Sequence, residues 1–227
     1  MTKSKKDIDY GSQEVFYRDH YQSVIFGKGL GPKAVRKTHI SMEKSFKNKF
    51  FHSVLEIGGG TGEHLDFVLH DYAEYFLTDL KTPDLNLTWA GNSKIFCQQA
   101  NAEELPYPDY FFDRVIVTCL LHHVEKPEKV CEEILRVLKS DGVATIFLSC
   151  DPGVMVRTLR FLSTARKANS DGFKGYDLMI ARDHRNHIGS LLPILKFVFR
   201  FRKLNIKYFP FIFPSWNLNG YVIVQIE

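Results

Sequence analysis

The run Val54-Leu55-Glu56-Ile57-Gly58-Gly59-Gly60-Thr61-Gly62 limits the possible folds more than any other stretch of the chain. Four mostly apolar residues after Phe51-His52-Ser53 are too few for a buried helix, and they lead straight into glycines, as a covered strand does where it ends. Without Cβ atoms such a turn lets a ligand approach the backbone closely. In an open α/β sheet that place, outside the carboxyl end of a strand, is where ligands bind. The dinucleotide pattern G-x-G-x-x-G fails here. Counted from Gly58, its third glycine falls on Glu63.

The rest of the chain supports such a sheet. Strands are predicted over residues 51–57, 75–78, 94–98, 114–119 and 143–150, with helices over 63–70 and 127–138. In the latter, Val130, Ile134, Val137 and Leu138 keep helical spacing up to Asp141-Gly142. Apolar strands alternating with helices imply a mostly parallel sheet covered on both faces. Two strands, 206–213 and 221–226, close it. Helices over 13–26 and 33–49 precede it, broken at Gly27-Lys28-Gly29-Leu30-Gly31-Pro32. Residues 153–200 read as an insertion of Arg/His-rich loops with one helix, 188–200. The expected division is a helical cap at 1–50 and a ligand-binding α/β domain at 51–227, with 153–200 serving the substrate.

Three further stretches give the glycine turn a family resemblance. Asp79 ends the second strand, 21 residues after Gly58, where a carboxylate can accept from ribose hydroxyls. Asn101-Ala102-Glu103-Glu104-Leu105-Pro106-Tyr107-Pro108 follows the third strand. Asp113-Arg114-Val115-Ile116-Val117-Thr118-Cys119-Leu120-Leu121-His122-His123-Val124 spans the fourth. In this order, over about residues 52–150, the stretches resemble class I S-adenosylmethionine (SAM)-dependent methyltransferases of the ubiquinone/menaquinone-biosynthesis-like group (methyltransferase type 11). The resemblance implies a Rossmann-like sheet of seven strands with SAM as cofactor and S-adenosylhomocysteine as product. It also implies a cofactor site of Glu56, Gly58, Gly60, Gly62, Asp79, Asn101, Ala102 and Thr118. Glu56 would answer the cofactor's ammonium group. Asn101, where the family has Asp, and the backbone N–H of Ala102 would read the adenine edge.

The acceptor side is less determined. His122 and His123 follow the fourth strand, and Ala181-Arg182-Asp183-His184-Arg185-Asn186-His187 gathers charge and imidazole in a loop. His122, His123 and His184 are the candidate bases. Arg182, Arg185 and His187, with Tyr17 and Tyr21 four apart on one helical face, are the candidate substrate contacts. No metal site is expected, because no carboxylate or cysteine pattern accompanies these histidines in sequence. Cys97, Cys119, Cys131 and Cys150 fit no zinc or redox spacing and read as reduced structural thiols, which points to the cytoplasm.

Residues 153–227 carry 12 Lys/Arg against 4 Asp/Glu, while the remainder is net negative. That asymmetry suggests a small, anionic or sugar-like acceptor. One alternative is an acceptor held in a membrane, a quinone or lipid, with the Phe/Lys/Arg-rich stretch 191–213 resting on an anionic surface. Another is a SAM-binding module without catalysis. Nucleic acid is disfavoured as a partner. Thr118-Cys119-Leu120-Leu121 stands where an Asn/Asp-Pro-Pro-Tyr signature would be, and no separate basic recognition domain is visible.

Overall fold

A computed structural model describes residues 15–227. Its frame is a seven-stranded sheet made of β1 (Phe50–Ile57), β2 (Asp71–Asp79), β3 (Ile95–Gln99), β4 (Phe112–Thr118), β5 (Leu138–Ser149), β6 (Leu204–Phe209) and β7 (Tyr221–Ile226), in the order β3-β2-β1-β4-β5-β7-β6. Only β7 runs against the others. It pairs antiparallel with both β5 and β6, and every other pairing is parallel. The Rossmann-like, mostly parallel sheet is therefore as the apolar runs predicted. Val115, Ile116 and Val117 of β4 are wholly buried, because both faces of this central strand are covered. The chain leaves β1 towards β2 on one side and returns to β4 on the other. The crevice where the strand order reverses thus opens at the carboxyl ends of β1 and β4.

On one face lie α2 (Pro127–Val137) and α6 (Ile188–Val198). Val130, Ile134 and Val137 of α2 and Leu191 and Leu195 of α6 join a single cluster with the sheet's inward residues. Pro127 suits the first turn, where its missing N–H costs nothing. On the other face α1 (Leu30–Glu43) brings Met42 against Val54, Tyr75, Leu77 and Ile116. This helix starts earlier and ends earlier than the 33–49 expected from periodicity, closing in a short 3₁₀ turn at Lys44–Phe46.

Two regions depart further from expectation. Before α1 the chain forms two π-helical segments, Phe16–His20 and Gln22–Phe26. The region read as mostly loop before residue 188 holds three helices: α3 (Val154–Leu162), α4 (Thr164–Ser170) and α5 (Tyr176–Asp183). Helix α3 buries no residue, and α4 and α5 bury only Ala165, Ala168, Tyr176 and Met179, strips too short for a hydrophobicity reading. The strips of α4 and α5 meet the N-terminal segment. Phe16 and Val24 pack with Ala165, Ala168, Phe173, Tyr176 and Met179 in a third apolar cluster. Residues 15–26 and 164–180 therefore share one covering layer above the carboxyl edge of the sheet. No helix among the described residues is long and apolar enough to cross a membrane.

Candidate functional site

The glycine turn takes its shape from the backbone. Gly58 and Gly60 have φ of +74° and +54°, a region that side chains disfavour. Gly59 is required for space, since a Cβ there would lie 2.1 Å from Leu77 Cδ1. The N–H groups of Gly58 and Gly59 donate to Thr78 O at 2.8 and 3.0 Å, which fastens the turn to the end of β2. The next residue of β2, Asp79, accepts from Gly60 N at 3.1 Å through Oδ2. The turn and the carboxylate expected from 21 residues' spacing thus meet directly.

Beside them lies a cavity of about 360 Å³, lined by Gly58, Asp79, Asn101, Ala102, Leu120, His123 and Arg185 among others. Its volume falls in the range of small-molecule sites. A Cβ on Gly58 would press on Leu120 Cδ1 at 3.0 Å, so the glycine keeps the crevice between β1 and β4 open.

Of the implied cofactor set, Gly58, Asp79, Asn101 and Ala102 line this cavity, and Glu56, Gly60, Gly62 and Thr118 do not. Glu56 is buried beneath the turn, where it accepts from Tyr75 Oη at 2.6 Å. Burial raises its carboxyl to about 7. Gly62, at φ +80°, packs against Leu85 and Leu65 instead. The Oδ1 of Asn101 accepts from Glu103 N at 3.0 Å and so shapes its own turn. Thr118 closes β4 without reaching the cavity wall.

The acceptor-side candidates separate clearly. His122 is corrected as a base. It is fully buried, its Nδ1 bonds Asn186 O at 2.7 Å, and its Nε2 accepts from Ser149 N at 3.0 Å, so neither nitrogen is left for a substrate. His123 faces the cavity with its Nδ1 buried and unpartnered. Burial, with His184 and His122 close by, lowers its pKa to about 3, so its ring is neutral. His184 Nδ1 bonds Asp151 Oδ2 at 2.8 Å, and Arg160 grips the same carboxylate at 2.6 Å. Burial opposes ionisation of Asp151, but these two partners outweigh it and hold the carboxyl below its usual range.

Neither Asp151 nor Cys119 was singled out from sequence. Each directly follows the end of a central strand, or lies within two residues of it, and that position was the available signal. Cys119 turns the chain at φ +55°. Arg185 lines the cavity while pairing with Glu125 at 3.3 Å, and Arg182 and His187 are exposed. The segment 181–187 is only partly a loop, because α5 runs to Asp183.

The N-terminal segment covers the other side. Gln22 Nε2 donates to Glu63 Oε1 at 2.7 Å, linking the segment to the residue just past the glycine turn. Tyr17 and Tyr21 stack with ring centroids 5.0 Å apart. Desolvation pushes both phenols up, although Tyr17 stays 46% exposed at the surface.

Comparison with known proteins agrees with this geometry. A methyltransferase-domain family model matches residues 55–146. The ubiquinone/menaquinone biosynthesis C-methyltransferase UbiE of Vibrio campbellii is 34% identical over 101 residues, which are 39% of this chain and 38% of that enzyme. The chain therefore aligns with well under half the length of this relative. A SAM-dependent methyltransferase from Archaeoglobus fulgidus superposes with a TM-score of 0.59 at 14% identity, over 91% of this chain and 97% of that one. The [4+2]-cyclase SpnF superposes at 0.56 with 14% identity, over 88% and 83%. At such identities these two likenesses concern the fold alone.

Proposed function

We propose that this chain, whose residues 55–146 are a methyltransferase domain related to the UbiE type, binds S-adenosylmethionine in the crevice between β1 and β4 and methylates a small acceptor beneath the aromatic N-terminal cover. The observation that carries the reading is that Gly58 of the turn and Asp79, which also holds the Gly60 amide, line one cavity. A turn without side-chain bulk and a strand-end carboxylate, both facing one space of suitable size, fit an adenosyl group. Asp79 would hold the ribose hydroxyls, Ala102 and the Asn101 turn would border the adenine, and Gly58 with Gly60 would admit the methionine portion. Bound there, the cofactor supplies a methyl group already activated by a sulfonium.

The protein's own task is then alignment and exclusion of water. Leu120, Tyr17 and Tyr21 close the space around the end of β4. An acceptor that carries a proton until it reacts also needs a base. His184 suits this, because the Asp151 carboxylate fixes its tautomer with Nδ1–H donating and leaves Nε2 to accept.

For the acceptor, the stacked Tyr17 and Tyr21 rings suit a flat, hydroxylated aromatic ring better than a sugar. A quinol-like compound matches both this cover and the UbiE relationship. A membrane-borne acceptor gains support from a separate surface. Phe201 is 88% exposed, and Arg200 lies 4.6 Å from its ring centroid, an apolar and basic pair suited to an anionic bilayer.

Calorimetry with SAM and S-adenosylhomocysteine, followed by transfer of labelled methyl to a panel of phenols and quinols, tests the reading. We expect both cofactor forms to bind and one acceptor to take label. Absence of binding by either form would overturn it. Co-sedimentation with anionic vesicles that persists in the Phe201→Ser variant would remove the membrane argument.

A further inference from the structure

We propose that Cys119, His123 and His184 form a binding site for a divalent transition metal of zinc-like chemistry, with Asp151 orienting His184. The three side chains come from the end of β4, the turn after it and the end of α5. Each can offer one donor atom, and the three atoms lie within 4.8 Å of one another. Tetrahedral zinc with sulfur at 2.3 Å and nitrogen at 2.0–2.1 Å sets its ligands about 3.5 Å apart, so the site needs to close by about an ångström. Side-chain rotation can supply that.

Two observations favour a metal over chance proximity. His184 Nδ1 is committed to Asp151 at 2.8 Å, leaving Nε2 with its lone pair; a carboxylate behind a histidine is the usual support of a metal ligand. His123 Nδ1 is buried with no hydrogen-bond partner, one of only three such side-chain atoms among the described residues. A thiolate with two imidazoles suits zinc, and three protein ligands leave a fourth position for water or an oxygen of a substrate.

The thiol itself sets a condition. Burial pushes Cys119 up to about 12, so the metal-free protein holds S–H there. Uptake forms a metal–sulfur bond and releases that proton to solvent. With metal bound, the Nε2 of His184 no longer serves as a base, and the metal instead acidifies whatever hydroxyl occupies the fourth position. A richer cluster of histidines under α1 is unsuited to a metal, because the Arg114 guanidinium already sits against its carboxylate.

The test uses tag-free full chain stripped with a chelator, titrated with Zn²⁺ against a competing indicator, and separately loaded with Co²⁺ for its spectrum. We expect one metal per chain and a thiolate-to-cobalt charge-transfer band. The band should vanish in Cys119→Ser and persist in Cys131→Ser. In Asp151→Asn, affinity should fall about 10–100-fold. Stoichiometry well below one, a cobalt spectrum without the band, or unchanged affinity in Cys119→Ser would each overturn the proposal. Should Cys119→Ser fail to fold by thermal melt, the wild-type cobalt spectrum and Asp151→Asn decide. SAM binding measured on the same samples is a separate readout, so loss of the metal site leaves the methyltransferase reading standing.

Discussion

Two clusters of ionisable groups flank the same sheet, and they have opposite characters. Under α1, Glu43 receives Arg114 Nη2 and His64 Nε2. Arg114 also donates to His70 Nε2 at 3.1 Å and to Thr145 Oγ1 at 3.3 Å, and its guanidinium lies 3.7 Å from the Phe46 ring centroid. The Nδ1 atoms of His64 and His39 hydrogen-bond each other across 2.7 Å. In this group Glu43 Oε2 alone lacks a hydrogen bond, with His70 Nε2 3.5 Å away, and it is sealed from solvent. At the carboxyl edge, Asp79, His123 and Arg185 border a cavity, and His123 keeps an unused nitrogen. Both regions hold shifted pKa values. Perturbed ionisation therefore does not tell the two regions apart; unfilled hydrogen-bonding capacity beside open space does.

Among substitutions, the largest effect is expected at Arg114. Removing it strands a buried carboxylate, so Arg114→Met should cost about 3–5 kcal/mol in a denaturant titration while the variant that still folds binds SAM as before. A loss of SAM affinity at intact stability would mean that the sealed cluster belongs to the site after all. On the open side, Asp79→Ala should lower SAM affinity about 100-fold by calorimetry, roughly 2.7 kcal/mol, and shift thermal stability by under 1 kcal/mol.

Acidity sharpens the contrast next. Burial lowers His39 to about 3 and His70 to about 4, from 6.5. These rings stay neutral when folded but take protons when unfolded, so their contribution is complete above about 6.5 and is lost as pH falls towards 4. Glu56 works the other way. Raised from 4.5 to about 7, it contributes fully below 4.5 and loses that contribution as pH rises through 7. His122 and His123, lowered to about 4 and about 3 by burial, add to the first group, so four rings outweigh one carboxyl and stability should fall by about 5 kcal/mol from pH 7 to pH 5. Scanning calorimetry across that range checks the sign. The smallest effect belongs to Tyr75→Phe, which removes the hydroxyl bonded to Glu56 and should cost about 1 kcal/mol with little change in SAM affinity.

Much of the frame was legible beforehand because its signals are local. A short apolar strand, a glycine turn and an acidic strand end each lie within a few residues, and together they located the crevice at Gly58 and Asp79. Helices α4 and α5 escape a periodicity reading because their short covered strips match the N-terminal segment, and α3 because it buries no residue at all. His122 and His123 could not be told apart in sequence, since one turn after β4 sends the first ring inward to Ser149 N and Asn186 O and the second to the cavity. The grouping of Cys119 with His123 and His184 joins residues some 60 positions apart, which spacing rules for metal ligands do not reach.

The contact between Asp79 and the Gly60 amide has a thermodynamic consequence. Before any nucleoside arrives, one carboxylate oxygen is already satisfied by the loop it faces. A sugar that claims this oxygen must swap partners, so its net gain is smaller than a count of new bonds would give. In return the acidic group waits in a fixed direction, and little rotational freedom remains to be surrendered at the moment of docking.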